Sequence, residues 1–357
     1  MTDSALLGAV LHGPKDLRLE PVPAEPLGPR DVRVTLGAAG ICGSDQHYYH
    51  NARMGNFVLK SPFALGHEMS GDISECGAEV QGLAPGDRVV IDPALTCGQC
   101  PACRSGRANL CHKVRFMGSA SHDPHLDGGY RESFVVEARR CVPVPGDTPH
   151  DLLCVTEPLS VAVHAVERAG PVLGRDVVIA GAGTIGALIA AVVRAAGAAR
   201  VCVSDPSAFR RETALRMGAT DVMDPVAGDL VPVIDARGGA FDIAFEASGH
   251  PAAFLDMVRM TRRGGRAVLV GMIPSQSCEV PFNQMTAREI DLISTFRQNG
   301  VFERSARMLV DGMIDPGPIL TARFPLADVL EAFRASFLTE QHIKVLLTGG
   351  AGPGGAA

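Results

Sequence analysis

The glycine spacing at residues 181–186 constrains the fold of this chain more than any other feature in it. Gly181-Ala-Gly183-Thr-Ile-Gly186 follows an apolar run at residues 177–180 and opens a helical pattern over residues 184–196. Among 40 glycines the spacing alone decides little; its place between a strand and a helix is the context its mechanism requires. Gly181 permits a tight turn, Gly183 lets backbone approach a pyrophosphate, and Gly186 lets helix and strand pack closely. Thr184 and Ile185 begin the helix, whose N-terminus offers free N–H groups and the positive end of its dipole. Asp205 stands at the end of the next predicted strand, 19 residues past Gly186. A carboxylate there accepts hydrogen bonds from ribose hydroxyls and repels a 2′-phosphate, which favours NAD over NADP. Arg210 and Arg211 follow closely; Arg210 could stack on an adenine or serve the opposite preference. The plainer alternative is glycine-rich packing with Asp205 capping a helix.

The same region is uncharged for 17 residues, 177–193, but its glycines and change of pattern fit strand, turn and helix better than a membrane span. Beyond it, predicted strands at 200–204, 241–246, 266–270 and 289–294 alternate with helical runs such as 206–217, which implies a doubly wound parallel sheet. The first 150 or so residues read instead as short β segments, among them 31–36 and 87–91, with turns at Pro85-Gly86 and Pro145-Gly146. The tail adds helices near 302–311 and 326–337, a strand at 343–347, and a glycine-rich end at 349–357. A chain of 357 residues exceeds what one core sustains, so two domains are expected. The net charge of −6 excludes a surface built to displace nucleic-acid counterions. No secretory signal opens the sequence, and ten cysteines without one point to reduced thiols in the cytoplasm, available for metal.

Two groups of residues have the chemistry of metal ligands. Cys97-Gly-Gln-Cys100-Pro-Ala-Cys103 and Cys111 place four thiols within 15 residues. Four cysteines around one tetrahedral ion leave no open position, the mark of a structural site; buried apolar cysteines or an iron–sulfur loop are the competing readings. The second group is dispersed: Cys42 in Gly40-Ile-Cys-Gly-Ser-Asp45, then His47, Gly66-His67-Glu68 and Glu157-Pro158. Thiolate, imidazole and carboxylate together suit zinc, and three protein ligands plus water make an open catalytic site. Taken singly each is ambiguous, since a histidine after glycine is common in loops and Glu157 could merely start a helix.

With these residues in hand, the chain resembles the zinc-dependent medium-chain alcohol dehydrogenase family over nearly its whole length. Gly66-His67-Glu68-x-x-Gly71, with Gly77 and Val80, follows the family's zinc signature. Residues 40–49, Gly55-Asn-Phe57, Glu157-Pro-Leu-Ser-Val161 with His164, and Ser294-Thr-Phe-Arg297 are similar to the sorbitol and polyol dehydrogenase branch, and L-idonate 5-dehydrogenases share much of them. The threonine and butanediol dehydrogenases share the zinc parts. The resemblance implies a GroES-like β catalytic domain at 1–156 and 296–357, carrying the structural zinc lobe, and a Rossmann NAD-binding domain at 157–295. It implies two zinc ions per chain. Cys42 and His67 are then direct ligands of the catalytic ion, Glu68 a ligand or close neighbour, and Glu157 a ligand directly or through water. Asp45 orients His67, while Ser44, the cofactor ribose and His47 form a proton relay. Val270, Met272, Phe296 and Arg297 contact the cofactor; Tyr48, Phe116, Phe296 and Arg297 shape the substrate pocket. A small polyol or aldonate is the expected partner, with no membrane or nucleic acid, in a homotetramer or dimer. Gln298-Asn299-Gly300 departs from the aromatic usual after Phe-Arg in the sorbitol enzymes. A non-enzymatic nucleotide-binding protein on the same fold would be expected to lose Cys42, His67 or Glu157, and all three are present.

Overall fold

The computed structural model describes residues 6–228, 241–273 and 278–350. Residues 1–5 of the amino-terminal stretch and 351–357 of the glycine-rich tail lie outside the described residues. The chain divides into two compact units. One comprises the residues up to Glu157, Phe302–Asp311 and the segment from Leu320 onward; the other comprises Pro158–Val301 and Gly312–Ile319. The division therefore returns to the first unit at residue 302 rather than the expected 296, and Gly317–Ile319 stays in the second, against the helix Ala208–Arg216.

The first unit is built on a seven-stranded sheet. Its order is Cys141–Val144, Arg88–Ile91, Glu68–Cys76, Asp31–Gly40, Lys344–Thr348 and Leu320–Pro325, with Ser133–Glu137 also paired to Asp31–Gly40. Asp31–Gly40 has the period-2 pattern of a half-buried strand: Val32, Val34 and Leu36 point into the core, alternating with partly exposed neighbours. Its last residues pair on one side with Glu68, Met69 and Ser70 and on the other with Leu346, Leu347 and Thr348. Tyr130, Phe134, Met69, Leu65 and Phe333 fill the core beneath, and Phe333 meets Tyr130 edge to face at 6.3 Å between ring centres.

A helix, Gly43–Asn51, interrupts the expected run of β segments. Gly-Ser-Asp-Gln-His-Tyr-Tyr-His-Asn has no apolar stripe, which is why periodicity does not reveal it. Its start is fixed by capping, for the Cys42 N–H donates to Asp45 Oδ2 at 3.0 Å.

The second unit is a six-stranded, all-parallel sheet. The order is Asp221–Met223, Arg200–Ser204, Asp176–Ala180, Phe241–Glu246, Thr261–Leu269 and Asp291–Ser294. Strand burial is nearly continuous at Asp176–Ala180, Arg200–Ser204 and Phe241–Glu246, as a sheet covered on both faces demands. The direction of winding reverses at Asp176–Ala180, and an open α/β sheet binds ligands at the carboxyl ends of the strands beside such a reversal. The helix expected from residue 206 begins at Ala208, because the Ser207 side chain takes the N-cap and accepts from the Arg210 N–H. No helix of the described residues is long and apolar enough to cross a membrane.

Gly186 is the tightest point of this unit, since a Cβ there would collide with the Gly181 carbonyl oxygen. Gly186→Ala is expected to lower stability by about 1–3 kcal/mol through overpacking and to abolish saturable NADH binding. Thermal melts and an NADH fluorescence titration measure the two effects; wild-type binding in the variant would show that the close approach is dispensable.

Candidate functional site

The first unit gathers its ligand-type side chains where two paired strands end. Opposite Gly40 sits Glu68, with His67 immediately before it, and Cys42 follows Gly40 by two residues at the start of the capped helix. One ligand atom each from Cys42, His67 and Glu68 lie within 4.8 Å of one another. His67 and Glu68 are buried. Nδ1 of His67 faces Asp45 Oδ1 at 3.5 Å, and its Nε2 faces Ser44 Oγ at 3.5 Å. Burial works against a charged imidazole, but the negative charge of Asp45 and Cys42 outweighs it and holds the His67 pKa well above the usual value. Asp45 is itself locked: its Oδ2 accepts from the Cys42 N–H at 3.0 Å and from the Tyr130 hydroxyl at 2.8 Å. Glu157, in the first turn of the helix Thr156–Ala169, is buried and interacts electrostatically with His67, Glu68 and Lys344; burial pushes its pKa up to about 7. The ring of Phe116 stands 5.6 Å from that of His67. The Cys42 thiol, the His67 imidazole and the Glu68 carboxyl around one point form a donor set that fits zinc; Glu157 is not part of that cluster.

The four-cysteine group also converges, its sulfurs all within 4.8 Å of one another. Cys97 Sγ lies 3.5 Å from Cys111 Sγ and Cys100 Sγ 3.6 Å from Cys103 Sγ, with none in a disulfide. Zinc–sulfur bonds of about 2.3 Å in a tetrahedron imply sulfur separations of about 3.8 Å, so the group fits one closed ion. The backbone N–H groups of Cys97 and Lys113 both point at Cys111 Sγ, at 3.4 Å, as anionic thiolates require.

In the second unit, Gly181 takes a left-handed φ of 101°, while a Cβ on Gly183 would meet no protein atom within 4 Å. That space at the helix start, where Thr184 and Ile185 lie, fits a phosphate group. Asp205 does more than the sequence suggests. Its Oδ2 accepts from the Ala182 N–H at 2.8 Å and its Oδ1 from the Ser207 N–H at 2.9 Å, so one buried carboxylate ties the glycine loop to the next helix. Each oxygen keeps a second lone pair for a ribose hydroxyl. Arg211 is engaged by the carbonyls of Asp205 and Pro206 and by Asp224. Val270 donates to the Glu246 carbonyl at the sheet's carboxyl edge, and Met272 follows it. Arg297 has a left-handed φ of 53° and lays its guanidinium over the Phe296 ring at 4.9 Å.

Three features lay outside the sequence reading. Tyr48, expected at the substrate pocket, is sealed in the core, its hydroxyl 3.1 Å from Ser119 Oγ and accepting from the Ala120 N–H. Tyr130 and Lys344 both reach the metal group, Tyr130 through Asp45 and Lys344 through Glu68. A single lysine inside the apolar run 343–347 was the one available signal.

Comparison with known proteins gives a consistent result. Residues 28–146 match the family model described as alcohol dehydrogenase GroES-like domain, and residues 184–311 match zinc-binding dehydrogenase. L-idonate 5-dehydrogenase (NAD(P)(+)) of Escherichia coli is 38% identical over 316 residues, covering 88% of this chain and 90% of that protein. Sorbitol dehydrogenase of Bacillus subtilis is 33% identical over 346 residues, covering 95% of this chain and 96% of that protein. The crystal structure of the Escherichia coli L-idonate 5-dehydrogenase superposes with a TM-score of 0.90 at 35% identity, over 96% of this chain and 98% of that one.

Metal analysis of the purified protein is expected to give two zinc ions per chain. Cys100→Ser should lose one equivalent and melt at lower temperature while keeping the other ion. A fully loaded wild type whose Cys100→Ser variant also keeps both would remove the structural assignment.

Proposed function

The chain belongs to the zinc-dependent alcohol dehydrogenase family, and from that premise we propose that it oxidises a secondary hydroxyl of a small polyol, such as sorbitol or xylitol, to the ketose with NAD as acceptor. The observation that supports this most is the convergence of Cys42, His67 and Glu68, with Glu157 beside them. Carboxylates in place of a second thiol make the site harder and better matched to hydroxyl-rich ligands.

Cys42 and His67 would hold the zinc, with Glu157 as a third ligand directly or through water and Glu68 as ligand or neighbour. Zinc bound there supplies Lewis acidity that brings a hydroxyl's pKa toward neutrality, and NAD supplies the hydride acceptor. The chain's own residues do the rest. Asp45, itself held by Tyr130 and the Cys42 N–H, sets its Oδ1 3.5 Å from His67 Nδ1 and so faces the ring with a negative charge. Ser44 Oγ stands at the His67 edge of the site, poised to take a proton. Burial holds the His47 pKa below the usual value, so its imidazole is neutral at neutral pH and accepts the proton that leaves. Phe116 borders the site with its ring 5.6 Å from that of His67.

The second reading is an aldonate such as L-idonate, supported by the strained, stacked Arg297, a fork suited to a substrate carboxylate. The cofactor reading rests on the anchored Asp205 and the engaged Arg211. Among the described residues no strand pairs with the outer edge of Asp291–Ser294, where Leu292 is exposed, and this edge supports a homodimer or a tetramer of such pairs. Ten unpaired cysteines among the described residues support a reducing, cytoplasmic setting.

Three measurements test these assignments. With one polyol as substrate, kcat/KM for NAD should exceed that for NADP by orders of magnitude; equal use of both would overturn the role given to Asp205. A panel of neutral polyols and aldonates assayed for NADH formation should show turnover of sorbitol or xylitol, and Arg297→Ala should weaken it only about fivefold, the loss of an ordinary hydrogen bond. Strong turnover of L-idonate alone, lost selectively in Arg297→Ala, would establish the second reading instead.

A further inference from the structure

The strap of residues 118–128 borders the candidate site at both ends, and an exposed contact fastens its tip. Phe116 and Met117 lead into it and Tyr130 follows it. Its ends lie against the residue before His67: a Cβ on Gly118 or on Gly128 would collide with the Gly66 carbonyl oxygen. Ser119 and Ala120 hold the Tyr48 hydroxyl. At the tip, His125 Nε2 accepts from the Lys60 backbone N–H at 2.9 Å, and Nδ1 lies 2.7 Å from the His122 carbonyl oxygen. These partners cannot exchange roles, since a peptide N–H only donates and a carbonyl only accepts. While both bonds are made, the imidazole is therefore neutral, with its single proton on Nδ1. Its ring also rests on Phe63, 5.0 Å between centres, and Phe63 meets Tyr48 edge to face.

Four other titratable groups adjoin His125. The Lys60 ammonium lies 3.0 Å from Asp123 Oδ2, and its hydrogen bond holds that carboxyl below the usual range, so this exposed pair stays charged while a histidine titrates. Asp127 Oδ1 accepts from the Ala64 N–H at 2.8 Å. His122 Nδ1 is 3.5 Å from the Pro124 carbonyl oxygen, where a proton adds a donor and breaks nothing. Of these groups only His125 makes a bond that a proton destroys.

We propose that His125 is a pH-operated latch on the strap: neutral, it pins the strap to Lys60, and protonated, it lets the strap go. A second proton would sit on Nε2 and face the Lys60 N–H, donor against donor. The latched form is thus the one without that proton; it prevails above the imidazole's titration and is lost as the pH falls through it. A released strap loosens Phe116 beside His67 and the grip of Ser119 and Ala120 on Tyr48, which weakens substrate binding more than the chemical step. That consequence rests on the dehydrogenase reading above, whereas the latch itself does not. His125 acts as a positioning residue.

The test follows hydrogen exchange in full-length, zinc-loaded protein from about pH 5 to pH 8, corrected for the intrinsic pH dependence of exchange. Peptides covering residues 57–62 and 118–128 report on the latch, and a peptide covering 176–180 is the reference. On acidification the Lys60 peptide should lose protection about fivefold, the loss of one hydrogen bond, while the reference holds. KM for sorbitol should rise with the same midpoint and kcat change little. His125→Gln, whose carbonyl accepts from Lys60 but gains no proton, should keep its protection across the range. His125→Ala should exchange fast at every pH, and His122→Gln should titrate like the wild type. Wild-type protection that does not change with pH, a loss shared equally by the reference peptide, or a His125→Gln protein with the wild-type pH dependence overturns the proposal. The wild-type arm needs no variant to fold. Absence of sorbitol turnover would count against the functional reading alone, because exchange is read without substrate.

Discussion

The pairing of Asp31–Gly40 with a strand on each side is the constraint on which the candidate metal site depends. At its carboxyl end the strand holds Glu68–Cys76 by one edge and Lys344–Thr348 by the other, with Glu68 and Leu346 both opposite Gly40. The register fixes which side chains meet, since a slip of one residue would turn Glu68 to the opposite face. Residues 276 positions apart are brought to hydrogen-bond distance by backbone ladders alone. The chain leaves the strand through Cys42 and enters a capped helix that carries Ser44, Asp45 and His47.

Around that junction the electrostatics are layered. Asp45 is fully buried and divided among the Cys42 N–H, the Tyr130 hydroxyl and the facing His67 ring. Glu68 is balanced by an ammonium, and Glu157 is driven toward its neutral form by burial. In surroundings with so little water each charge needs a named partner, because an unpaired one would cost more than the fold can spare. The same logic operates in the parallel sheet, where Asp205 joins the glycine loop to the following helix through two backbone N–H groups.

How much of this the sequence disclosed follows from the range of the interactions. The glycine loop, Asp205 and the four cysteines depend on spacing within a few dozen residues, and the strands at 176–180, 200–204 and 241–246 show as short segments rich in apolar residues. Cys42, His67, Glu68 and Glu157 are dispersed, and only their combination with a family pattern marked them. The helix Gly43–Asn51 stayed hidden because a capping contact, not a hydrophobic stripe, defines it. The family resemblance places Tyr48 at the substrate pocket, whereas in the structure its ring packs edge-on against Phe63 in the core. Lys344 shows in the sequence only as a lone cation in an apolar run, because its meaning lies entirely in a partner on another strand.

The insertion of the strand Lys344–Thr348 beside Asp31–Gly40 also sets an order of events during synthesis. The parallel sheet can close once residue 294 has emerged, since its six strands all lie before that point. The amino-terminal sheet, although made first, stays incomplete until residue 348 is available, and until then Glu68 has no ammonium beside it. The half of the molecule translated earliest is therefore the last to mature. A growing polypeptide would pass through a stage with a closed parallel sheet and an unfinished amino-terminal sheet, its exposed strand edge open to wrong pairings or to a chaperone.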